Sequence, residues 1–294
     1  MILVTGGAGF IGSHVMDALL DDGEEVVVLD NFASGDRTNL RERVRIVDAD
    51  IADPGVVEAI ATLDIETVVH AAAQVSVAAS MLDPGLDLAV NVRGTSNVLA
   101  GAKAAGVERF VFLSTGGGVY GESDGADEET LPRPASYYSA HKYLAERYVQ
   151  LSGISYANAR LANVYGSRQR KDLEGGVVAI FAERLRGKLP ILINGSGDQS
   201  RDFVHVTDVV EAIISMAHDR RDGTWNVGTG EATSILDLLG EMERLIAPAV
   251  KIEHGSSRSG DVEYSRLSIE KIHTQLGWRP RLDLRSGLAE TLHE

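Results

Sequence analysis

The sequence predicts an α/β chain built on a doubly wound parallel sheet, followed by a smaller mixed α/β part. Three observations carry this. Short apolar runs recur through the first half at residues 2–4, 26–30, 44–47, 67–70 and 109–113. Amphipathic stretches alternate with them, the pattern of a parallel sheet covered by helices on both faces. The first run also breaks into Gly7-x-Gly9-x-x-Gly12 immediately before an amphipathic segment.

Composition narrows the function classes. The 294 residues, 44% of them apolar, can fill one large core or two modest ones. No apolar run approaches the ~18 residues of a membrane span, and a strand beginning at Met1 leaves no room for a signal peptide, so a cytoplasmic protein is expected. The chain has no cysteine, which excludes disulfides, thiolate metal sites and cysteine nucleophiles; no metal site is predicted. A net charge of −15 argues against nucleic acid as the main partner but leaves room for anionic small ligands bound locally by arginines and helix N-termini.

Taken in order, residues 2–4 form the first strand. The glycine loop after it supplies a tight turn and a close backbone approach, as a pyrophosphate site needs, with the amides opening the first helix (residues 13–21) facing the phosphates. The second strand ends in Asp30, at the distance from the loop where a ribose-binding carboxylate belongs. Asp30 would accept from the adenosine ribose hydroxyls and repel a 2′-phosphate, favouring NAD over NADP. Residues 31–43 read as a polar loop before a third strand at 44–47. Asp50 and Ile51 follow it, either touching the adenine or capping a helix before Pro54. The fourth strand, 67–70, closes on a packed His70. Ala71-Ala72-Ala73-Gln74 then offers small residues against which a cofactor can lie. A helix over 86–105 carries Asn91, and a fifth strand, 109–113, runs into Ser114-Thr115-Gly116-Gly117-Gly118-Val119-Tyr120-Gly121.

Residues 123–134 read as a surface loop leading to a helix that starts near Ala135 or Ser136. A sixth strand at 155–161 precedes Asn163-Val-Tyr-Gly166. Beyond it the sequence predicts a helix at 177–186, a strand at 190–193 and a polar turn over 194–200. The expected division is a dinucleotide-binding domain over 1–166 and a substrate-binding domain over 167–294, with 202–228 free to pack with the first and a cleft between the halves.

Tyr138-Ser-Ala-His-Lys142 places a phenol and an ammonium on one helix face. A phenol is a poor base at its ordinary pKa of about 10, and a nearby cation, together with a positive nicotinamide, would let it take a proton near neutral pH. His141 is expected on another, solvent-facing side.

With these residues in place the chain resembles the extended short-chain dehydrogenase/reductase family, in its NAD-dependent epimerase/dehydratase branch, and within that the UDP-glucose 4-epimerases. The matching motifs span nearly the whole length: Thr5-Gly-Gly-Ala-Gly-Phe-Ile-Gly12, Asp30-Asn31, Asp50-Ile51, Asn91-Val-x-Gly94-Thr95, Val119-Tyr-Gly121, Tyr138-x-x-x-Lys142, Arg160-Leu-Ala-Asn163-Val-Tyr-Gly166, Arg201-Asp-Phe-Val-His205 and Arg258-Ser-Gly-Asp261. The resemblance implies a Rossmann-type fold holding NAD through Gly6, Gly9, Phe10, Ile11, Gly12, Asp30, Asn31, Ser34, Gly35, Asp50, Ile51, Ala71, Ala72, Ala73, Gln74, Asn91, Ser114, Tyr138 and Lys142. It implies a UDP-sugar substrate whose nucleoside diphosphate meets Asn163, Val177, Arg201, Arg258 and Asp261. The chemistry agrees, with two arginines for a diphosphate and a carboxylate for ribose hydroxyls. Ser259 stands where the family usually has proline.

The implied reaction is interconversion of UDP-glucose and UDP-galactose by transient oxidation at carbon 4 with NAD retained. Many relatives carry a Ser or Thr three residues before the Val of Val-Tyr-Gly, which bonds the reacting oxygen. Gly116 stands there in this chain. Thr115 is the nearest substitute if the loop is bulged by one residue; otherwise Tyr138 meets the substrate hydroxyl directly or through a water. A dTDP-glucose 4,6-dehydratase would carry an Asp-Glu pair where Gly117-Gly118 stand. UDP-glucuronate or UDP-N-acetylglucosamine epimerase and decarboxylase activities differ by a few loop residues. A non-catalytic NAD-binding protein would have lost the Tyr/Lys pair, which is intact. The resemblance also implies a homodimer in which the helices over 86–105 and 137–151 pair across a two-fold axis.

Overall fold

The computed structural model describes residues 1–171, 176–246, 250–256 and 262–293. The chain opens with β1 (Ile2–Thr5), α1 (Phe10–Asp21), β2 (Val26–Asp30), β3 (Arg45–Asp48), α2 (Val56–Ala61), β4 (Thr67–His70), α3 (Val77–Leu82), α4 (Pro84–Leu88), α5 (Thr95–Ala104) and β5 (Arg109–Thr115). It continues through α6 (Gly116–Tyr120), β6 (Ser123–Ala126), α7 (Tyr137–Leu151), β7 (Ser155–Leu161), β8 (Asn163–Tyr165), α8 (Val177–Arg186), β9 (Ile191–Asn194), β10 (Ser200–Arg201), β11 (Phe203–His205) and α9 (Val206–His218). It ends with β12 (Gly223–Val227), β13 (Thr233–Ser234), α10 (Ile235–Ile246), β14 (Ile252–Gly255), β15 (Tyr264–Leu267), α11 (Glu270–Leu276) and α12 (Leu284–His293). Among the described residues no helix is long and apolar enough to cross a membrane.

Seven strands form one sheet in the order β12-β7-β5-β4-β1-β2-β3. β1 lies in parallel register between β2 and β4, Ile2 beside Val26 and Thr67, and Thr5 beside Leu29 and His70. The strand order therefore reverses at β1, and in such sheets ligands gather past the carboxyl end of the strand where the order turns. Leu3, Val27, Leu29, Val68, Phe110 and Phe112 build the core on one side with Ile60 and Val98. β1, β2 and β4 are buried along their whole length, which is why they are near-continuous apolar runs in the sequence.

Packing divides the chain into two compact units, each assembled from separate segments. The first comprises Met1–Thr115, Ser136–Arg160 and Val210–Trp225; the second comprises Gly116–Ala135, Leu161–Val209 and Asn226–Glu294. Residues 116–135 thus belong with the second unit although they precede position 166. The second unit has its own core of Phe181, Leu185, Leu238, Leu239, Met242 and Leu288, beside a four-stranded sheet in the order β13-β10-β15-β6 and the two-stranded pairs β11-β8 and β14-β9.

Three local expectations are corrected. The expected surface loop over 123–134 begins with a strand, β6, in parallel register with β15; Ser-Asp-Gly-Ala has no apolar pattern to announce it. Gly116-Gly117-Gly118 is the start of α6 rather than an open loop. The single helix expected over 86–105 is three segments, because residues Ala89–Gly94 wind as a π-helix between α4 and α5.

Candidate active site

The first turn after β1 is shaped for close approach. Gly6 adopts a φ of +67°, and a Cβ there would sit 2.6 Å from the Ala72 nitrogen. A Cβ at Gly12 would run into the Gly6 carbonyl oxygen, so a side chain at either position would force the loop apart. Gly9 caps α1 with no side chain, and the first helical bond recorded at this end runs from the Ser13 amide to the Gly9 carbonyl at 3.1 Å. The amides of Phe10, Ile11 and Gly12 are therefore the ones that a helix N-terminus presents to an anion. This cradle fits a dinucleotide pyrophosphate.

Asp30, at the end of β2, is buried and held from two sides. Its Oδ2 accepts the Ala8 amide at 2.9 Å and its Oδ1 the Phe32 amide at 2.8 Å. Each oxygen keeps a lone pair, so a fixed carboxylate remains able to accept from ribose hydroxyls. Gly35 lies against it, since a Cβ there would be 3.0 Å from Asp30 Oδ1, and Ser34 is exposed beside it. Asn31 Nδ2 donates to Asp50 Oδ2 at 3.0 Å, and Asp50 Oδ1 accepts the Ala52 amide at 2.8 Å. Asp50 thus shapes its own turn, while α2 starts later with Gly55 as its cap. Ile51 buries its side chain beside Gly94, and its carbonyl accepts from Asn97 at 2.9 Å.

After β4, the loop carrying Ala71, Ala72, Ala73 and Gln74 is tied down at both ends. The Ala71 amide donates to the Thr5 carbonyl at 3.1 Å. The Gln74 amide donates to Asn91 Oδ1 at 3.1 Å while Asn91 Nδ2 donates to the Gln74 carbonyl at 3.0 Å. Asn91 sits in the π-helical turn, which aims its side chain at the loop. His70 is packed as expected: its Nδ1 lies 2.6 Å from Thr5 Oγ1, its Nε2 3.0 Å from Thr95 Oγ1, and it stacks on Phe112. Burial, with help from the Lys142 charge, lowers its pKa to about 3, so it is neutral at ordinary pH.

Tyr138 and Lys142 lie on α7. Ser136 caps the helix by accepting the Ser139 amide at 3.2 Å, and the buried Ser80 hydroxyl accepts the Tyr138 amide at 3.1 Å. Lys142 is 4% exposed, with Nζ 4.2 Å from the centre of the Phe112 ring. Burial lowers the lysine to about 7, against the opposing pull of Glu146 and Asp87. In the chain by itself burial first, and then the Asp87 charge, push the Tyr138 phenol above its ordinary value, so the lowering expected of Lys142 has to come with the positive nicotinamide beside it. Burial removes the water that would solvate the phenolate, and the Asp87 carboxylate repels its charge.

The floor beneath Lys142 is a buried ion pair. Arg160 Nη2 donates to Glu146 Oε2 at 2.7 Å, its Nε reaches both carboxylate oxygens, and the Ser114 hydroxyl donates to Glu146 Oε1 at 2.5 Å. The hydroxyl of Ser114 is therefore committed to α7. Thr115 ends β5, half-buried, and the β4–β5 register runs in step from Thr67 beside Arg109 to His70 beside Phe112. Among Gly116, Gly117 and Gly118 none has a positive φ. β5 passes directly into the helical turn of α6 at Gly116.

In the second unit the Asn163 amide donates to the Asp202 carbonyl at 2.8 Å, and Val177 opens α8. Arg201, on β10, is buried, its Nη1 donating to the carbonyls of Ser200 and Glu263 at 2.8 and 3.4 Å. Asp202 beside it is buried and accepts from the amides of Thr229 and Gly230 and from the Thr229 hydroxyl. Gly117 faces this unit's β15: a Cβ there would lie 2.8 Å from Ser265 Oγ and 3.8 Å from Asn163 Oδ1. Arg258 and Asp261 lie outside the described residues.

Two buried positions escape the sequence reading. His141 is buried rather than solvent-facing, its Nδ1 2.6 Å from Oδ2 of the fully buried Asp87. Asp87 stands four residues before Asn91 and accepts from it at 3.1 Å, a helical spacing that the sequence does display.

A model of the NAD dependent epimerase/dehydratase family matches residues 2–228. The UDP-glucose 4-epimerase of Mycolicibacterium smegmatis is 39% identical over 302 residues, covering 99% of this chain and 96% of that protein. The crystal structure of the Thermus thermophilus UDP-glucose 4-epimerase in complex with NAD is 41% identical, with a TM-score of 0.95 over 99% of this chain and 97% of that one. The Thermotoga maritima UDP-glucose 4-epimerase with UDP-glucose matches at 38% identity and a TM-score of 0.95, with the same coverage. More distant are UDP-glucuronic acid decarboxylase 1 of Arabidopsis thaliana, 33% identical over 98% of this chain and 68% of its own length, and a UDP-N-acetylglucosamine 4-epimerase from Methanobrevibacter ruminantium, 29% identical with a TM-score of 0.91 over 99% of this chain and 96% of that one. With the glycine cradle, the buried Asp30 and the Tyr138/Lys142 helix set on a fold that such relatives share along their length, the chain belongs to the NAD dependent epimerase/dehydratase family, and NAD is its cofactor.

Proposed function

We propose that the protein interconverts UDP-glucose and UDP-galactose by transient oxidation at carbon 4 of the hexose. The observation that carries this reading is the intact Tyr138/Lys142 pair on α7 combined with a β5–α6 turn that bears no acid. Residue 117, where a dehydratase would need an acidic side chain, is a glycine whose Cβ position lies 2.8 Å from Ser265 Oγ, so a side chain there would require the serine to move.

NAD, when bound, supplies a hydride acceptor and donor. The chain's own groups do the rest. Tyr138 takes the proton of the substrate hydroxyl and later returns it; a phenol with raised proton affinity is a strong base once ionised. Lys142 supplies a cation on the same helix face to stabilise that phenolate, and a lysine desolvated against Phe112 exerts its charge through a medium that screens it little. Asp30 and the amides at the start of α1 hold the cofactor's ribose and phosphates. Asn163, Val177, Arg201, Arg258 and Asp261 anchor the nucleoside diphosphate, so the sugar can turn while its carrier stays bound. Thr115 bonds the reacting oxygen, or else Tyr138 meets that oxygen directly or through a water.

The active form is proposed to be a homodimer. Leu86 and Leu88 on α4 are exposed, as are Tyr137, Leu144, Tyr148 and Leu151 on α7. Leu144, Tyr148 and Leu151 recur at helical spacing, an apolar stripe of the kind a second copy covers.

Incubating the purified protein with UDP-galactose, UDP-N-acetylgalactosamine, UDP-glucuronate and dTDP-glucose, without added NAD, tests the reading. UDP-glucose from UDP-galactose as the fastest conversion is the expected result. Carbon dioxide released from UDP-glucuronate, or a 4-keto-6-deoxy product from dTDP-glucose, would replace it with decarboxylation or dehydration.

A further inference from the structure

Asp87 is a carboxylate with no exposure to solvent, and it keeps its place only because donors replace its hydration. Its Oδ1 accepts from Gln74 Nε2 at 2.6 Å and Asn91 Nδ2 at 3.1 Å, and its Oδ2 lies 2.6 Å from His141 Nδ1. Gln74 belongs to the loop after β4, Asp87 and Asn91 to α4 and the π-helical turn, and His141 to the same α7 turn as Tyr138 and Lys142. One carboxylate therefore joins the loop and the helix. We propose that the Asp87–His141 pair is a positioning element that fixes the helix bearing Tyr138 and Lys142 at one spacing from the loop over residues 71–76.

The proposal rests on the role given above to Tyr138, Lys142 and that loop. It makes the residue directly before Lys142 a functional position through its contact with Asp87. The Asp87 charge also raises both the phenol and the ammonium, so a displaced carboxylate would disturb the two reactive groups together.

Three variants test it: His141→Ala, which removes the donor; His141→Asn, whose amide nitrogen takes the place of Nδ1; and Asp87→Asn, which keeps the side chain's size. For each, kcat and KM are measured with the preferred UDP-sugar, and NAD affinity is measured on protein stripped of cofactor, without sugar. His141→Ala is expected to lower kcat about tenfold or more with KM within about twofold, and to weaken NAD binding about tenfold. His141→Asn should restore both to within about threefold. Unchanged kcat and NAD affinity in His141→Ala, or an Asn variant as impaired as the Ala variant, would overturn the proposal. If His141→Ala does not fold, Asp87→Asn decides: about tenfold weaker NAD binding supports the tie, and wild-type affinity refutes it. Should the wild-type protein turn over no UDP-sugar, the functional reading fails, while the NAD-affinity arm still tests the tie.

Discussion

Lys142 costs the fold stability, and removing its charge should return it. Its pKa is drawn from 10.5 to about 7 by burial. At ~1.4 kcal/mol per pKa unit the charged form carries a penalty of ~5 kcal/mol, of which ~4 remains at pH 7, where about half the side chain is neutral. Lys142→Met keeps the length and an apolar stem over Phe112, and it leaves no buried carboxylate stranded. Glu146 retains Arg160 and Ser114, and Asp87 retains Gln74, Asn91 and His141. The variant should therefore be more stable at pH 7 by ~2–4 kcal/mol, with a rise in Tm of ~2–4 °C per kcal/mol, and should lose turnover. The sign with pH is fixed. The lysine's folded pKa lies below its unfolded one, so its penalty is complete below pH 7 and relieved as pH rises to 10.5. The advantage of Lys142→Met should shrink over that window. Urea denaturation of cofactor-stripped protein at pH 7, 8.5 and 10 measures it. A variant less stable than wild type at pH 7, or an advantage that does not change with pH, would refute the reasoning.

Tyr138→Phe should cut turnover ~100-fold to 10,000-fold while bound NAD and Tm stay near wild type; activity within threefold of wild type removes the proposed base. Thr115→Val should change turnover by less than about threefold if Tyr138 meets the reacting oxygen unaided, and by ~10-fold or more if the Thr115 hydroxyl takes part; steady-state kinetics separates the two. Arg201→Ala should weaken UDP-sugar binding by ~1.5–3 kcal/mol with NAD affinity kept, read by calorimetry, and unchanged sugar affinity would displace Arg201 from the diphosphate. Leu144→Glu with Leu151→Glu should convert a dimer to monomer by light scattering; a wild-type protein already monomeric at micromolar concentration contradicts the dimer.

The first unit was largely legible because its strands are buried on both faces and so appear as unbroken apolar runs; β2 and β4 fall at the predicted residues. β6 was hidden because a polar strand of four residues gains its hydrogen bonds from β15, over a hundred positions later, and nothing local marks the pairing. Three glycines suggested an open loop at 116–118, yet tertiary surroundings set a helical turn there against intrinsic propensity. Helical spacing correctly put Tyr138 and Lys142 on one face but assigned His141 to solvent, since spacing says nothing of a second helix on the other side; the partner, Asp87, is 54 residues away. The upward shift of the tyrosine in the chain alone was hidden for a related reason: a sequence shows the neighbouring cation, while the depth of burial belongs to the folded chain.

The central claim is that carbon 4 is oxidised and reduced again within one bound complex. UDP-galactose deuterated at carbon 4 is converted by the purified protein in ordinary water without added NAD, and the product is examined by NMR. The account predicts UDP-glucose with the label retained at carbon 4; label lost to solvent, or a product that is not the 4-epimer, would contradict it.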